Sequence, residues 1–409
     1  MLKVSEAHLL GSIEALAAVG AIEGGGNARL ALTDEDKTGR DLVVGWMREL
    51  GLDIRIDAIG NVIGVRAGRE NGAAIMTGSH IDTVRTGGRY DGNYGVLAGL
   101  EVVRALNEAR IVTRRPIAVA FFTNEEGARF QPDMMGSLVY AGGLGLNEAY
   151  AAADKDGMSV GDELRRIGYL GSTAPGALRP QAFLELHIEQ GPILEAESKD
   201  IGIVTGVQAM RWYEVTITGQ DAHTGATPMP LRKNALLGAA RIVELVNSIG
   251  LKNAPLAVAT VGMLNPYPNS RNVIPGEVFM TVDFRHPEDD TLSSMDAALQ
   301  AGVKEIAEKI GLTYEMNQVF YYKPVAFDKD CVEAVRRAAK HFGYTHRDIV
   351  SGAGHDACYI ARVAPTSMIF TPCVDGISHN EAEDISQDWA AMGTNVLMHA
   401  VLEKAEVIG

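Results

Sequence analysis

The chain has little cysteine, no long apolar run and no block of basic charge. Cys331, Cys358 and Cys373 are the three cysteines among 409 residues. An odd number without a close pair excludes a disulfide framework and fits a reducing compartment, and the plain reading of each is a small buried apolar side chain. No hydrophobic stretch approaches the ~20 residues that cross a bilayer. The opening MLKVSEAHLL lacks a basic segment followed by an apolar one, so an unexported, cytoplasmic protein without a membrane partner is expected. Lys and Arg number 37 against 52 Asp and Glu, for a net charge of −15. The two signs are interspersed, which argues against nucleic acid as a partner and otherwise only keeps the protein dispersed. Neither GxGxxG after a strand nor GxxxxGK[ST] occurs, so nothing points to nucleotide phosphates. Internal repeats and low-complexity tracts are also lacking.

What is present is a well-patterned chain, 46% hydrophobic, long enough for two cores. Residues 34–50 open with acids, carry apolar positions at helical spacing and stop at Gly51, which predicts a helix. Residues 53–58 and 61–66 read as a hairpin, and 73–80 as a central strand. A helix follows over 92–109, then an apolar strand over 116–122 that runs directly into the charged turn TNEEG. Two strands thus end in reactive side chains, the place where ligands gather in open α/β sheets. From about Ile203 the pattern changes to alternating strands, RWYEVTITG, LAVATVGML and GEVFMTVDFRH, with helices over 233–248 and 291–310. After Tyr322 it returns to helix, strand and helix over 328–342, 367–372 and 386–404. The expected fold is therefore α/β: a mixed-sheet domain formed by 1–206 and 324–409, with an inserted α+β domain over 207–323.

Five segments carry the chemistry: GSHIDTVRTGGRYDGNYG, FFTNEEGARF, ELHIEQGP, DAHTGATPM and DGISHNEAE. Borderline divalent ions take imidazole and carboxylate ligands, and a catalytic ion keeps a coordination position for water. His80, Asp91, Glu126, His187 and His379 can supply such a set. Each alone has a bland reading, since a single His is more often a hydrogen-bonded structural residue. Asp82 stands at the spacing from which its carboxylate can orient the His80 ring, or it simply closes a turn. Asp91 lies in a glycine-rich stretch able to fold tightly around an ion, though turn aspartates are common. Glu125 and Glu126 point in different directions at a strand end, offering one ligand and one proton shuttle. Solvated acids explain the pair but not its place directly after the apolar run AVAFFT.

Together these segments resemble, over nearly the whole chain and in the same order, the amidase, hydantoinase and carbamoylase branch of the M20 metallopeptidase superfamily. The resemblance rests on HxD at His80 and Asp82, Asp91 in RYDGNYG, EEGxRF from Glu125 to Phe130, LHIEQGP around His187 and SHNE around His379. It implies two divalent ions, Mn²⁺, Co²⁺, Ni²⁺ or Zn²⁺. His80 and His187 would hold one, Glu126 and His379 the other, with Asp91 bridging them, Glu125 as catalytic acid/base and Asp82 beside it. The inserted domain would be a lid that also makes a homodimer. Its matching substrate positions are Gln208, His223, Asn272 and Arg285, and Gly354 and His355 in SGAGHDA match a substrate-side loop.

His223 and Asn272 have the groups to hydrogen-bond an oxyanion, and Arg285 a planar fork for a carboxylate. A surface strand residue is the ordinary reading of Arg285. The implied substrate is a ureido acid, with N-carbamoyl-L-amino acids favoured over allantoate, β-ureidopropionate, or the acyl and dipeptide substrates of other members. A non-catalytic metal or metabolite binder is the rival from another class; it has no use for Glu125.

Overall fold

The computed structural model describes residues 2–408. It divides into two compact units, one running from the start of the chain through Thr205 and resuming at Ala326, the other Gly206–Val325. The second crossing falls slightly beyond the Lys323 expected from the sequence pattern.

The first unit is built on a mixed sheet. Its strands run in the order Asp53–Ile56, Val62–Arg66, Ile117–Phe122, Ile75–His80, Ala182–Ile188, Thr366–Thr371, Ile201–Val207 and Val325–Ala326, with His346–Ser351 also pairing on Ile201–Val207. The hairpin at the edge is antiparallel. Ile117–Phe122, Ile75–His80, Ala182–Ile188 and Thr366–Thr371 run parallel to one another. All four are buried along their whole length, as parallel strands covered on both faces must be. Register aligns their carboxyl ends: His80 lies opposite Phe122, and His187 opposite Phe370. Thus His80 and His187 close two strands, while Thr123–Glu126 and Cys373–His379 leave the other two. The expected α/β class and the reactive strand ends are both found.

Ala182–Ile188 was not predicted as a strand. Glu185 and His187 interrupt its apolar pattern, yet both are almost fully buried. Among the covering helices, Asp34–Glu49 starts where the Thr33 side chain accepts from the Asp36 N–H, with three acids in its first turn, a favourable N-terminus. Asn93–Glu108 starts at Gly92, whose φ of 65° suits glycine.

The second unit has an antiparallel sheet in the order Thr313–Tyr322, Ala209–Thr218, Glu277–His286, Val258–Tyr267. Helices Ala235–Lys252 and Asp289–Ile310 pack with it around Val278, Met280, Val282 and Phe284. Strict alternation along Glu277–His286 gives this sheet one buried face. Among the described residues, no helix is long and apolar enough to cross a membrane.

Candidate active site

The aligned strand ends bring His80, Asp91, Glu125, Glu126, His187 and His379 together. Two groups of side chains there have ligand atoms close enough to share an ion: His80, Asp91 and His187, and Asp91, Glu126 and His379. Asp91 belongs to both through different atoms. Its Oδ1 lies 3.1 Å from His187 Nε2 and 3.5 Å from His80 Nε2. Its Oδ2 lies 3.3 Å from His379 Nε2, which is 3.2 Å from Glu126 Oε2.

The imidazoles are turned for this purpose. His80 Nδ1 is 2.9 Å from the Asp82 carbonyl, and His187 Nδ1 is 2.9 Å from the Ile188 carbonyl. A carbonyl only accepts, so each Nδ1 donates its proton there and each Nε2 is left facing Asp91. Gly92 permits the close approach, since a Cβ there would lie 2.4 Å from the His80 ring. Side chains that present lone pairs and carboxylate oxygens to common points fit a divalent ion.

The electrostatics agree. Burial raises the Glu125 carboxyl well above its ordinary range, and neighbouring Asp356, Glu126 and Asp91 add to this against the opposing charge of His80. Burial works against charge on His80, but Glu125, Asp91 and Asp82 lift it well above the usual imidazole value. His379 is pushed up to about 10 by its hydrogen bonds to Asp91 and Glu126. The carboxylates here hold positive charge firmly, as protons or as a metal ion.

A family model, Peptidase family M20/M25/M40, matches residues 76–403. The chain belongs to that family. An N-carbamoyl-L-amino-acid amidohydrolase of Rhizobium meliloti is 50% identical over 407 residues, covering 99% of this chain and 98% of that protein. An allantoate amidohydrolase of Bacillus subtilis is 35% identical, covering 94% of each. The crystal structure of an amidase of the hydantoinase/carbamoylase family from Burkholderia multivorans superposes with a TM-score of 0.97 at 59% identity, covering 99% of this chain and 98% of that one.

Within this M20 site, Asp82 acts otherwise than expected. Its main-chain carbonyl, not its carboxylate, meets the His80 ring. The carboxylate accepts from the Glu125 N–H at 3.2 Å and the Glu126 N–H at 3.3 Å. Asp82 therefore fixes the turn that carries both glutamates. His355 also differs from a substrate-facing residue: it is 2% exposed, its ring lies 4.5 Å from that of His187, and its Nε2 is 3.0 Å from Ser351 Oγ. Burial and then His187 keep it neutral, well below the usual imidazole value. It backs His187, while Gly354 beside it is partly exposed.

The remaining sequence-selected residues lie in the second unit, at two separate places. His223 pairs with Val273, and Thr224 donates to the Asn272 carbonyl, which makes His223 and Asn272 neighbours. Gln208 precedes the other end of Ala209–Thr218, where Met210 lies opposite Arg285. Arg285 Nε and Nη2 contact the Asp283 carboxylate, the closest at 2.8 Å. The ladder between the two ends has ten paired positions, about 30 Å at the usual rise. His223 and Asn272 thus lie beyond the Thr218 end of this strand, and Arg285 near its Ala209 end.

Three residues around Asp91 escaped the sequence reading. Gln190 Nε2 donates to Asp91 Oδ2 at 2.9 Å, Ser378 Oγ lies 3.0 Å from the same oxygen, and Glu383 accepts from the Tyr90 and Asp91 N–H groups. Gln190 follows His187 in ELHIEQGP, and Ser378 and Glu383 flank His379 in SHNEAE. Their motifs were visible, but the contacts were not.

Proposed function

We propose that this chain is a two-metal amidohydrolase that cleaves the carbamoyl C–N bond of N-carbamoyl-L-amino acids, giving amino acid, ammonia and carbon dioxide. The observation carrying this reading is Asp91, whose two oxygens face two different histidine-containing groups. His80 and His187 would hold one ion, Glu126 and His379 the other, with Asp91 shared; Mn²⁺, Co²⁺, Ni²⁺ and Zn²⁺ all suit such ligands. When bound, two divalent ions lower the pKa of a water and polarise a carbonyl. Glu125, buried beside Asp91 and Glu126, would in its ionised form, which neighbouring cations favour, take the water's proton and pass it to the departing nitrogen. Asp82 keeps Glu125 in position through its N–H.

The substrate class follows from likeness to the Rhizobium meliloti enzyme, at 50% identity against 35% for the allantoate hydrolase. Arg285 supplies a planar cation for the substrate carboxylate and Gln208 a polar neighbour. His223 and Asn272 supply hydrogen bonds to the developing oxyanion, and Gly354 lines the substrate side. The expected setting is cytoplasmic.

The inserted unit is proposed as the lid and dimer contact of a homodimer. Exposed Val258, Met263, Leu264 and Tyr267 along the edge strand Val258–Tyr267 support such an association. In this reading His223 and Arg285 serve different subunits' sites, which their places at opposite ends of the strand support. Mixing inactive His223→Ala and Arg285→Ala dimers under exchange should restore up to about a quarter of wild-type activity through mixed dimers. No recovery despite confirmed exchange would contradict this arrangement.

A substrate panel with chelated and metal-restored protein tests the function. N-Carbamoyl-L-amino acids should show a higher kcat/KM than allantoate, their carboxamides should be poor, and chelation should abolish turnover. Arg285→Lys should reduce kcat/KM by roughly tenfold or more, because the charge stays but the fork is lost. Faster turnover of allantoate, or indifference to the substrate carboxylate, would overturn the substrate assignment.

A further inference from the structure

Behind Asp91 lies a carboxylate that the proposed reaction does not use. Glu383 is 2% exposed. Its Oε1 accepts from the Tyr90 N–H at 2.9 Å and the Asp91 N–H at 3.0 Å. Its Oε2 lies 2.9 Å from Ser378 Oγ. The chain is shaped around it: a Cβ on Gly88 would stand 2.1 Å from Glu383 Oε1. Glu383 thus joins the loop carrying Asp91 to the loop carrying His379, whose own φ of 53° is left-handed.

The detail that matters is a proton count. Ser378 Oγ lies between two carboxylate oxygens, Glu383 Oε2 at 2.9 Å and Asp91 Oδ2 at 3.0 Å, and a hydroxyl has one proton to give. Gln190 already donates to Asp91 Oδ2. If the Ser378 proton also turned to that oxygen, two donors would compete there with a cation. If it turns to Glu383, a lone pair of Asp91 Oδ2 stays available on the side of Glu126 and His379.

We propose that Glu383 is a positioning residue that draws the Ser378 proton away from Asp91 and thereby keeps Asp91 Oδ2 able to hold the ion shared with Glu126 and His379. This rests on the two-ion reading above. It assigns Glu383 no contact with substrate and no effect on the ion between His80, Asp91 and His187.

The test is calorimetric titration of metal-depleted, full-length protein with Mn²⁺, with bound metal counted by elemental analysis. Glu383→Gln is the informative variant. Its amide oxygen can still accept from Tyr90 and Asp91, but its NH₂ donates to Ser378 and turns the hydroxyl proton onto Asp91. The weaker of the two Mn²⁺ affinities, identified with the Glu126–His379 group by its loss in His379→Ala, should fall by roughly 10–100-fold, the range for groups that orient metal ligands, while the tighter one and the melting temperature of the metal-free protein stay near wild type. Ser378→Ala removes the contested proton and should alter the weaker affinity by less than about threefold. In that background, Glu383→Gln should add little. Three results would overturn the proposal: unchanged affinities in Glu383→Gln, an equal fall in both, or an undiminished Glu383→Gln effect without Ser378. Wild-type protein that binds no Mn²⁺ would instead refute the two-ion reading itself.

Discussion

The two candidate ligand groups that meet at Asp91 are built differently. His80 and His187 end parallel strands, are about 1% exposed, and have their rings fixed by main-chain carbonyls. The group with Glu126 and His379 stands on loops. The His379 side chain is 51% exposed, and its backbone and that of Gln190 have left-handed φ values of 53° and 58°. One half of the site is thus set by the packing of the sheet, and the other by hydrogen bonds between loops. Strand-borne ligands are held by the fold's own stability, whereas loop-borne ligands depend on local partners such as Ser378 and Glu383.

The largest expected effect separates both groups from the proposed proton shuttle. Glu125 Oε2 lies 3.5 Å from His80 Nε2 but belongs to neither group. Glu125→Gln should lower kcat by about 10²-fold or more with two ions per chain still bound. Loss of an ion together with activity would make Glu125 a ligand and redraw the comparison.

Next comes the contrast between the histidines. His187→Ala opens a hole in the packed core and should destabilise metal-free protein by about 1–3 kcal/mol, besides costing one ion. His379→Ala should cost the other ion with less than about 1 kcal/mol of stability, since the ring is half exposed. Chemical denaturation with metal analysis checks both, and equal destabilisation would remove the distinction between strand-borne and loop-borne ligands.

A smaller effect concerns protons. With its pKa pushed up to about 10, His379 is charged at pH 8 in metal-free protein, yet a metal ligand must be neutral. Ion binding at the loop-borne group should therefore release about one proton at pH 8, seen as a dependence of the calorimetric enthalpy on buffer, and should strengthen with rising pH until about pH 10. The same raised value adds a solvent-screened contribution of under about 1 kcal/mol to the metal-free fold, fully present below pH 6.5 and lost as pH rises through about 10. Proton-independent binding would mean that His379 is not a ligand.

The same division governs what the sequence allowed one to read. His80 and Glu125–Glu126 were legible because each follows an apolar run, so a strand with a reactive end could be inferred from period and composition. His187 was found by its motif, but its strand was missed because Glu185 looks solvent-seeking while it is held internally by the Ser79 hydroxyl and the Ala357 N–H. Choosing between the carbonyl and the carboxylate of Asp82 requires backbone direction, which no spacing rule provides. Glu383 stayed hidden for a different reason: its partners at Tyr90 and Asp91 are almost 300 residues away, at |i−j| of 293 and 292, and a backbone N–H leaves no mark in the sequence. The long strands of the second unit were legible from their alternation. The distance between its two pairs of polar residues emerged only from the strand register.

The sharing of Asp91 is the claim on which the rest depends, and anomalous diffraction from crystals grown with Mn²⁺ tests it most directly. Two peaks are expected about 3.5–4 Å apart, one among His80, His187 and Asp91 Oδ1, the other among Glu126, His379 and Asp91 Oδ2. A single fully occupied peak, or two peaks that do not share Asp91, would contradict the account.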